Sequence, residues 1–227
     1  MFHKPVTFLF IILFFAIIFF FFILVQIGAV TFAFIKIGIP HHYILVALLA
    51  TLLGSFVNIP LKTIPQEDMV DEGRINFFGF TYVIPVWKRK VTLLTVNIGG
   101  AVIPTLISIY LLFKTELYLS ALGATVLMTM ATFKLARPMR GVGIVLPFFV
   151  PPILAALISG VIAYNNAPVI ACISGTLGTL IGGDLLNLKK ISSLGAPVAS
   201  IGGAGTFDGI FLTGILSVLL SAFFVYR

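Results

Sequence analysis

The sequence has very little charge for its length. Only 9% of its 227 residues are charged, whereas 60% are hydrophobic. A soluble domain of this length needs more polar surface, so the composition excludes an ordinary water-soluble enzyme or binding module. Long uncharged apolar stretches are present instead, and such stretches are typical of transmembrane helices. We therefore expect a polytopic membrane protein.

Cysteine and histidine are scarce as well. The single cysteine, Cys172, lies in an apolar stretch, so no intrachain disulfide can form. His3, His41 and His42 lie near the ends of apolar stretches, where histidines are usually plain loop residues. The serines have no histidine or lysine base at a recognisable spacing, which argues against a serine protease. We predict no metal site and no cofactor.

Basic residues are in excess, and the net charge is +7. They lie between the apolar stretches, where lipid headgroups and membrane topology require them. We therefore expect the lipid bilayer to be the partner of this chain, and we expect no nucleic acid.

The apolar stretches predict about seven transmembrane spans in one domain, residues 1–227. The spans cover residues 6–35, 42–59, 91–113, 117–134, 141–163, 167–188 and 199–226. The first stretch begins like a signal peptide, but it is too long and no small-residue cleavage site follows, so we interpret it as a retained span. The predicted fold class is all-α, a membrane helix bundle, with interrupted helices in the Gly- and Pro-containing third and fifth spans.

Orientation follows from the basic residues. With seven spans, eleven lysines and arginines lie on one side of the membrane and three on the other. The positive-inside rule makes the richer side cytoplasmic. We expect a multi-pass protein of the plasma membrane with its N-terminus in the cytoplasm and its C-terminus outside.

The one sizeable loop, residues 60–90, falls on the cytoplasmic side. Within it the stretch RINFFGFTYVIPVW, residues 74–87, has two β-prone pieces around Gly79. This pattern fits a small β-hairpin at the membrane surface and fits an interfacial loop with aromatic anchors equally well.

Two pairs of similar segments suggest an internal repeat. Residues 51–62 (TLLGSFVNIPLK) resemble 179–189 (TLIGGDLLNLK), and residues 97–108 resemble 200–217 around a shared IGGA. The pairs occur in the same order, which fits a parallel duplication of three spans, one linker span and three spans. Chance similarity among Gly-, Leu- and Ile-rich helices explains the pattern about as well.

Two carboxylates lie inside apolar spans, and they are the leading candidate functional residues. Asp184 lies about five residues before the basic end of the sixth span, and Asp208 lies near the start of the seventh. A carboxylate in hydrocarbon is expensive unless it faces a partner, water or the bundle interior. Both fall in the cytoplasmic half, so antiparallel neighbouring helices can bring them to similar depth.

Three interpretations of this pair remain open from the sequence. Two carboxylates that share a proton can activate water and polarise a carbonyl, which is the chemistry of an aspartyl protease acting on a membrane protein or peptide. The same pair can carry protons or bind a cation in a transporter. A non-catalytic scaffold, in which the carboxylates only cap helices, is the third. The residues expected to support the site are Gly182, Gly183, Gly202, Gly203, Gly205, Asn187 and Asn97.

Several motif strings resemble a family of prokaryotic membrane proteins. They include NIPLK, NIGGAVIPT, ARPMRGVGIVLPFFVPP, GTLGTLIGGDLLNL and GAPVASIGGAGTFDGIF. The resemblance runs from about Gln26 to the C-terminus. That family is catalogued as a domain of unknown function, so the resemblance implies a family and no activity.

A looser resemblance is to the GxGD intramembrane aspartyl proteases. The string IGGD, residues 181–184, is similar to GxGD but has Ile181 in place of the first glycine. The resemblance implies Asp184 and Asp208 as the catalytic pair. The sequence departs from that group because it lacks the group's Pro-Ala-Leu motif. The leading hypothesis from the sequence is an aspartyl-type intramembrane protease, with a proton- or cation-coupled transporter as the alternative.

Overall fold

The structure is a computed structural model that describes residues 5–65, 70–77, 80–87, 91–139, 143–193, 196–203 and 209–225. The chain is mostly helical within these ranges. Seven α-helices lie along the seven predicted spans. They are α1 (Pro5–Lys36), α2 (His41–Gly54), α3 (Ile103–Thr115), α4 (Tyr118–Leu135), α5 (Val150–Ile162), α6 (Ala167–Thr179) and α7 (Gly209–Val225).

Irregular helical turns extend two of these helices. A π-helical turn, Ile98–Val102, leads into α3. A second π-helical turn, Leu180–Asp184, follows α6 and is continued by a 3₁₀ segment, Leu185–Ser193. A short 3₁₀ turn, Tyr164–Asn166, precedes α6.

Three helical stretches of the described chain are long and apolar enough to cross a membrane. They are Ile98–Thr115, Tyr118–Leu135 and Tyr164–Ile191. Four other apolar stretches are shorter, at 10–17 residues. A helix rises about 1.5 Å per residue, so a helix such as α2, with 14 residues, is shorter than a hydrocarbon core of about 30 Å. The structure thus indicates a membrane protein, and the count of seven complete spans stays a prediction.

Strands make the all-α prediction wrong in one respect. The structure contains β1 (Asn58–Pro65), β2 (Val70–Phe77), β3 (Phe80–Trp87), β4 (Val91–Asn97), β5 (Arg137–Met139), β6 (Gly143–Val145) and β7 (Val198–Ile201). Three of them, β4, β6 and β7, occupy residues that the sequence assigns to the starts of spans. In β4 the reason is the β-branched composition of VTLLTVN, together with a partner strand on each side.

The main sheet has the strand order β1, β4, β7. Strand β4 pairs antiparallel with β1 and parallel with β7, with Leu93 opposite Val198 and Val96 opposite Ile201. Strands β2 and β3 form a separate antiparallel hairpin in the segment where the sequence suggests one, and they pair from Val70 and Trp87 to Phe77 and Phe80.

Helix α6 is the centre of the bundle and packs against α3, α4, α5 and α7. All its residues except Leu177 are buried. Small side chains and hydroxyl groups permit this, because helices in lipid associate through close packing and hydrogen bonds. The Ser217 hydroxyl donates to the Ala171 carbonyl at 3.0 Å, and the Thr132 hydroxyl donates to the Gly178 carbonyl at 2.9 Å.

Two glycines in the π-helical turns let backbones touch. A Cβ on Gly99 would overlap the Thr51 carbonyl and the Ser55 amide at the end of α2. A Cβ on Gly182 would overlap Thr132 and the Thr129 carbonyl on α4. Both sets of contacts include backbone atoms, which cannot rotate away as a long side chain can, and at Gly182 they also include the Thr132 hydroxyl. Each irregular turn is therefore anchored to a neighbouring helix by one glycine.

Gly99→Ala is expected to lower the free energy of unfolding by about 1–3 kcal/mol or more, because α2 must shift to admit the methyl group. The measurement is thermal unfolding of the purified protein in detergent. Gly123→Ala on α4 is the matched control, since nothing lies within 4 Å of a Cβ at that position. Equal unfolding temperatures for the two variants would refute the close-packing argument.

Candidate functional site

Asp184 lies at the end of the π-helical turn Leu180–Asp184, where the regular α-helical conformation of α6 ends, and it is partly buried. We call this turn the break in α6. Its Oδ2 accepts a hydrogen bond from the Gly202 amide at 2.8 Å. Gly202 follows β7, so this bond joins the break in α6 to the segment between β7 and α7. The carboxylate thus links two elements, because Gly202 lies 18 residues further along the chain.

Gly202 also touches the turn that leads into α3. Its φ is +82°, and a Cβ there would overlap the backbone and side chain of Ala101. Gly203 has a φ of +80°. Glycine adopts such angles without the steric penalty that other residues have. Gly202 therefore lies where three segments meet, namely both π-helical turns and the end of β7.

Asn187 binds the carbonyl groups that the break in α6 releases. It is fully buried, and its Nδ2 donates to the Gly182 carbonyl at 2.9 Å and to the Gly183 carbonyl at 3.0 Å. Its Oδ1 accepts from the Lys190 ammonium at 2.7 Å. Buried carbonyls without partners are costly, so Asn187 stabilises the non-α conformation beside Asp184.

Asn97 has the corresponding role at the other π-helical turn. It is fully buried, and its Oδ1 accepts from the Gly100 amide at 2.7 Å. Its Nδ2 donates to the Ser55 carbonyl at 2.7 Å and lies 3.2 Å from Asn58 Oδ1. Asn58 Oδ1 also accepts from the Ser200 hydroxyl at 2.8 Å. This network connects β1, β4 and β7. Its member in β7, Ser200, lies two residues before Gly202.

The second predicted carboxylate, Asp208, and the supporting residue Gly205 lie outside the described residues. The pairing of Asp184 with Asp208 therefore stays a prediction. Among the described residues, the structure brings Asp184, Gly202 and Gly203 together, places Asn187 at the same break, and joins Asn97 to them through β7.

A cavity of about 260 Å³ lies beside the break in α6. Leu146, which lines it, is the side chain that a Cβ on Gly183 would meet. The buried hydroxyl of Thr179, another lining residue, has no hydrogen-bond partner among the described residues. The full lining is Ile144, Val145, Leu146, Pro147, Phe148, Pro151, Thr179, Gly209, Ile210 and Thr213.

Sequence reasoning missed Thr179 and Thr213. A threonine in an apolar span gives little signal, because its hydroxyl ordinarily bonds to a carbonyl of its own helix, as Thr213 does with Gly209. The only clue in the sequence is spacing, since Thr179 lies five residues before Asp184 and Thr213 lies five residues after Asp208.

The described residues contain no group of three or more His, Cys, Asp and Glu side chains that could hold a metal ion. What the site offers is one carboxylate at a helix break, two buried amides and an adjacent cavity. This arrangement can take up a proton or a small cation, or it can hold a water molecule.

A family model described as "Protein of unknown function (DUF1614)" matches residues 52–220. No curated protein and no solved structure matches the chain. The resemblance to a membrane-protein family of unknown function is thereby confirmed over most of its predicted extent. The looser similarity to GxGD proteases finds no support in these comparisons.

Asn97→Ala is expected to lower the free energy of unfolding by about 2 kcal/mol or more, since the Ser55 carbonyl and the Gly100 amide each lose a buried partner. Thermal unfolding in detergent measures it. Asn165→Ala is the matched control, because Asn165 is exposed in the 3₁₀ turn before α6 and its removal should change little. A similar loss in both variants would contradict the assigned role of Asn97.

Proposed function

The chain belongs to this family of proteins of unknown function, and from that premise we propose that it transports protons or small cations across a membrane. Asp184 is the residue that takes up the transported ion. The observation that carries the proposal is a partly buried carboxylate at a break in a helix long enough to span a membrane.

Energetics supports a functional role for Asp184. An acidic residue inside a transmembrane segment is costly and is found where it serves an ion pathway or a proton relay. Transporters bind their ions at discontinuous helices, where unwound backbone and polar side chains replace the hydration shell. The π-helical and 3₁₀ segments after α6 are a discontinuity of this kind, and Asn187 stabilises it.

The proposed parallel repeat supports the same function. Strands β4 and β7 lie side by side and run parallel. An IGGA string accompanies the end of each strand: residues 98–101 begin directly after β4, and residues 201–204 begin with the last residue of β7. A helix follows each string, α3 after β4 and α7 after β7. Transporters are often built from such related units, with the site at their interface. In our proposal Gly202 and Ala101, which touch, belong to that interface.

Proteolysis is the weaker alternative for two reasons. The Gly202 amide fixes one Asp184 oxygen on another element, so only the second oxygen is left for the water that a proteolytic pair must share. The comparisons also give no support to a protease relationship. Asp208 remains part of the proposal as a second carboxylate of the pathway.

We further propose that seven spans cross the plasma membrane with the N-terminus in the cytoplasm. The skew of eleven basic residues against three supports this orientation. In this orientation Asp184 and the main sheet lie at the cytoplasmic end of the bundle. Lys36 and Lys114 lie at the opposite end, outside.

Transport is tested by reconstituting the purified protein into liposomes, imposing a proton, sodium or potassium gradient, and following each ion with an enclosed dye that responds to that ion. The wild type is expected to dissipate at least one gradient faster than empty liposomes. Asp184→Asn keeps the shape of the side chain but removes its charge, so flux should fall by about tenfold or more.

Glu116→Gln is the matched control, because it removes one carboxylate from the exposed turn between α3 and α4. It should keep wild-type flux. Wild-type flux in Asp184→Asn would refute the role of Asp184. No flux above empty liposomes in the wild type under any of the three gradients would refute transport itself and favour a scaffold.

The orientation is tested in a Cys172→Ser background, which removes the single native thiol. Lys114→Cys and Lys190→Cys each introduce one exposed thiol, at opposite ends of the bundle in our proposal. A membrane-impermeant maleimide added to intact cells should label position 114 and not position 190. Labelling should reach both positions after the cells are permeabilised. The reverse pattern in intact cells would invert the proposed topology.

A further inference from the structure

An apolar groove of about 530 Å³ runs between α2 and α3 on the side of the bundle. Its walls carry no charged side chain, and their polar groups are the hydroxyls of Tyr43 and Tyr110. The lining consists of Ile39, Pro40, Tyr43, Ala47, Ile103, Leu106, Ile107 and Tyr110. The groove is separate from the cavity beside Asp184, because the two share no lining residue.

The groove exists because α2 is loosely packed along most of its length. Only Ile44, Thr51 and Gly54 are buried on this helix, and the tight contact with Gly99 is at its C-terminal end. Toward its N-terminal end the space between α2 and α3 stays open. Apolar walls at membrane depth do not hold water well, so a hydrocarbon chain is the natural occupant.

One end of the groove carries a positive charge. Lys114, in the last turn of α3, donates a hydrogen bond to the Gly38 carbonyl, directly before the lining residue Ile39. Its ammonium also lies 5.6 Å from the ring centroid of Tyr110. An ammonium has three N–H donors, so the bond to Gly38 leaves donors for a phosphate oxygen. Basic and tyrosine side chains at the end of a transmembrane helix are typical of the headgroup region.

Other charged groups occur nearby along the chain. Lys36 ends α1 and lies over the Phe32 ring, whereas Glu116 is exposed two residues after Lys114. His41 and His42 are exposed at the start of α2. Lys36, Lys114 and Glu116 together carry one net positive charge.

We propose that the groove binds one acyl chain of an anionic phospholipid, whose phosphate is held by Lys114. The apolar lining recognises the chain, and the ammonium at its end distinguishes an anionic headgroup from a zwitterionic one. The proposal does not depend on transport, since it uses none of the residues around Asp184.

The test compares thermal unfolding of the detergent-purified protein with added phosphatidylglycerol or with phosphatidylcholine of the same acyl chains. Phosphatidylglycerol is expected to raise the unfolding temperature more, by several degrees, because a ligand that binds only the folded state stabilises it. Soluble glycerol phosphate should have no effect, since it lacks the chain. An equal rise with both lipids, or an effect of glycerol phosphate alone, would overturn the proposal.

Two variants distinguish the contribution of the lipid headgroup to binding from that of the acyl chain. Lys114→Gln can still donate to the Gly38 carbonyl but lacks the charge, so the preference for phosphatidylglycerol should disappear. Ala47→Phe fills the groove and should reduce stabilisation by both lipids. Lys134→Gln, at the other end of the bundle, is the matched charge control and should keep the preference. A preference that persists in Lys114→Gln would show that Lys114 only positions the Gly38 turn.

Discussion

The hydrogen bond from the Gly202 amide to the Asp184 carboxylate joins the π-helical turn after α6 to the end of β7, and Gly202 also touches the π-helical turn before α3. A helix that stops being α-helical inside a bundle releases backbone N–H and C=O groups, and these need new partners. Asn187 binds the released carbonyls of Gly182 and Gly183, whereas Asp184 binds the N–H of Gly202 at the end of β7. At the turn before α3, Asn97 accepts a hydrogen bond from the Gly100 N–H and donates to the Ser55 carbonyl at the end of α2. The polar side chains in these apolar spans are therefore the condition for breaking the helices at all.

This constraint explains how much of the site could be predicted from the sequence. Asp184, Asn187 and Asn97 are recognisable because a polar side chain in an apolar span is expensive, and the adjacent glycines indicate close contact. The partner of Asp184 was not predictable. A hydrogen bond to Gly202 depends on the positive φ of that residue and on where β7 ends, and neither is encoded in local composition.

The fold was predictable to a similar extent. Long apolar stretches locate the helices, because hydrophobicity over some twenty positions is a strong signal, but α3, α5 and α7 begin 9–12 residues after the predicted starts of their spans. The same signal concealed the strands. Strands β4 and β7 are apolar enough to read as the starts of spans, and only their pairing with each other and of β4 with β1 makes them strands. Pairing between residues about 100 positions apart is a tertiary effect that composition does not report.

The two proposed sites fit an unequal use of the two proposed repeats. In the second copy α6 is buried on almost every side and carries the break with its carboxylate. In the first copy α2 is exposed along one face, and Phe56 stands where the second copy has Asp184. A well-packed helix can position an ion-binding carboxylate, because its neighbours fix the backbone around it. A loosely packed helix leaves space that lipid fills. If both proposals hold, one architecture supplies a rigid site in one half and a lipid-binding groove in the other.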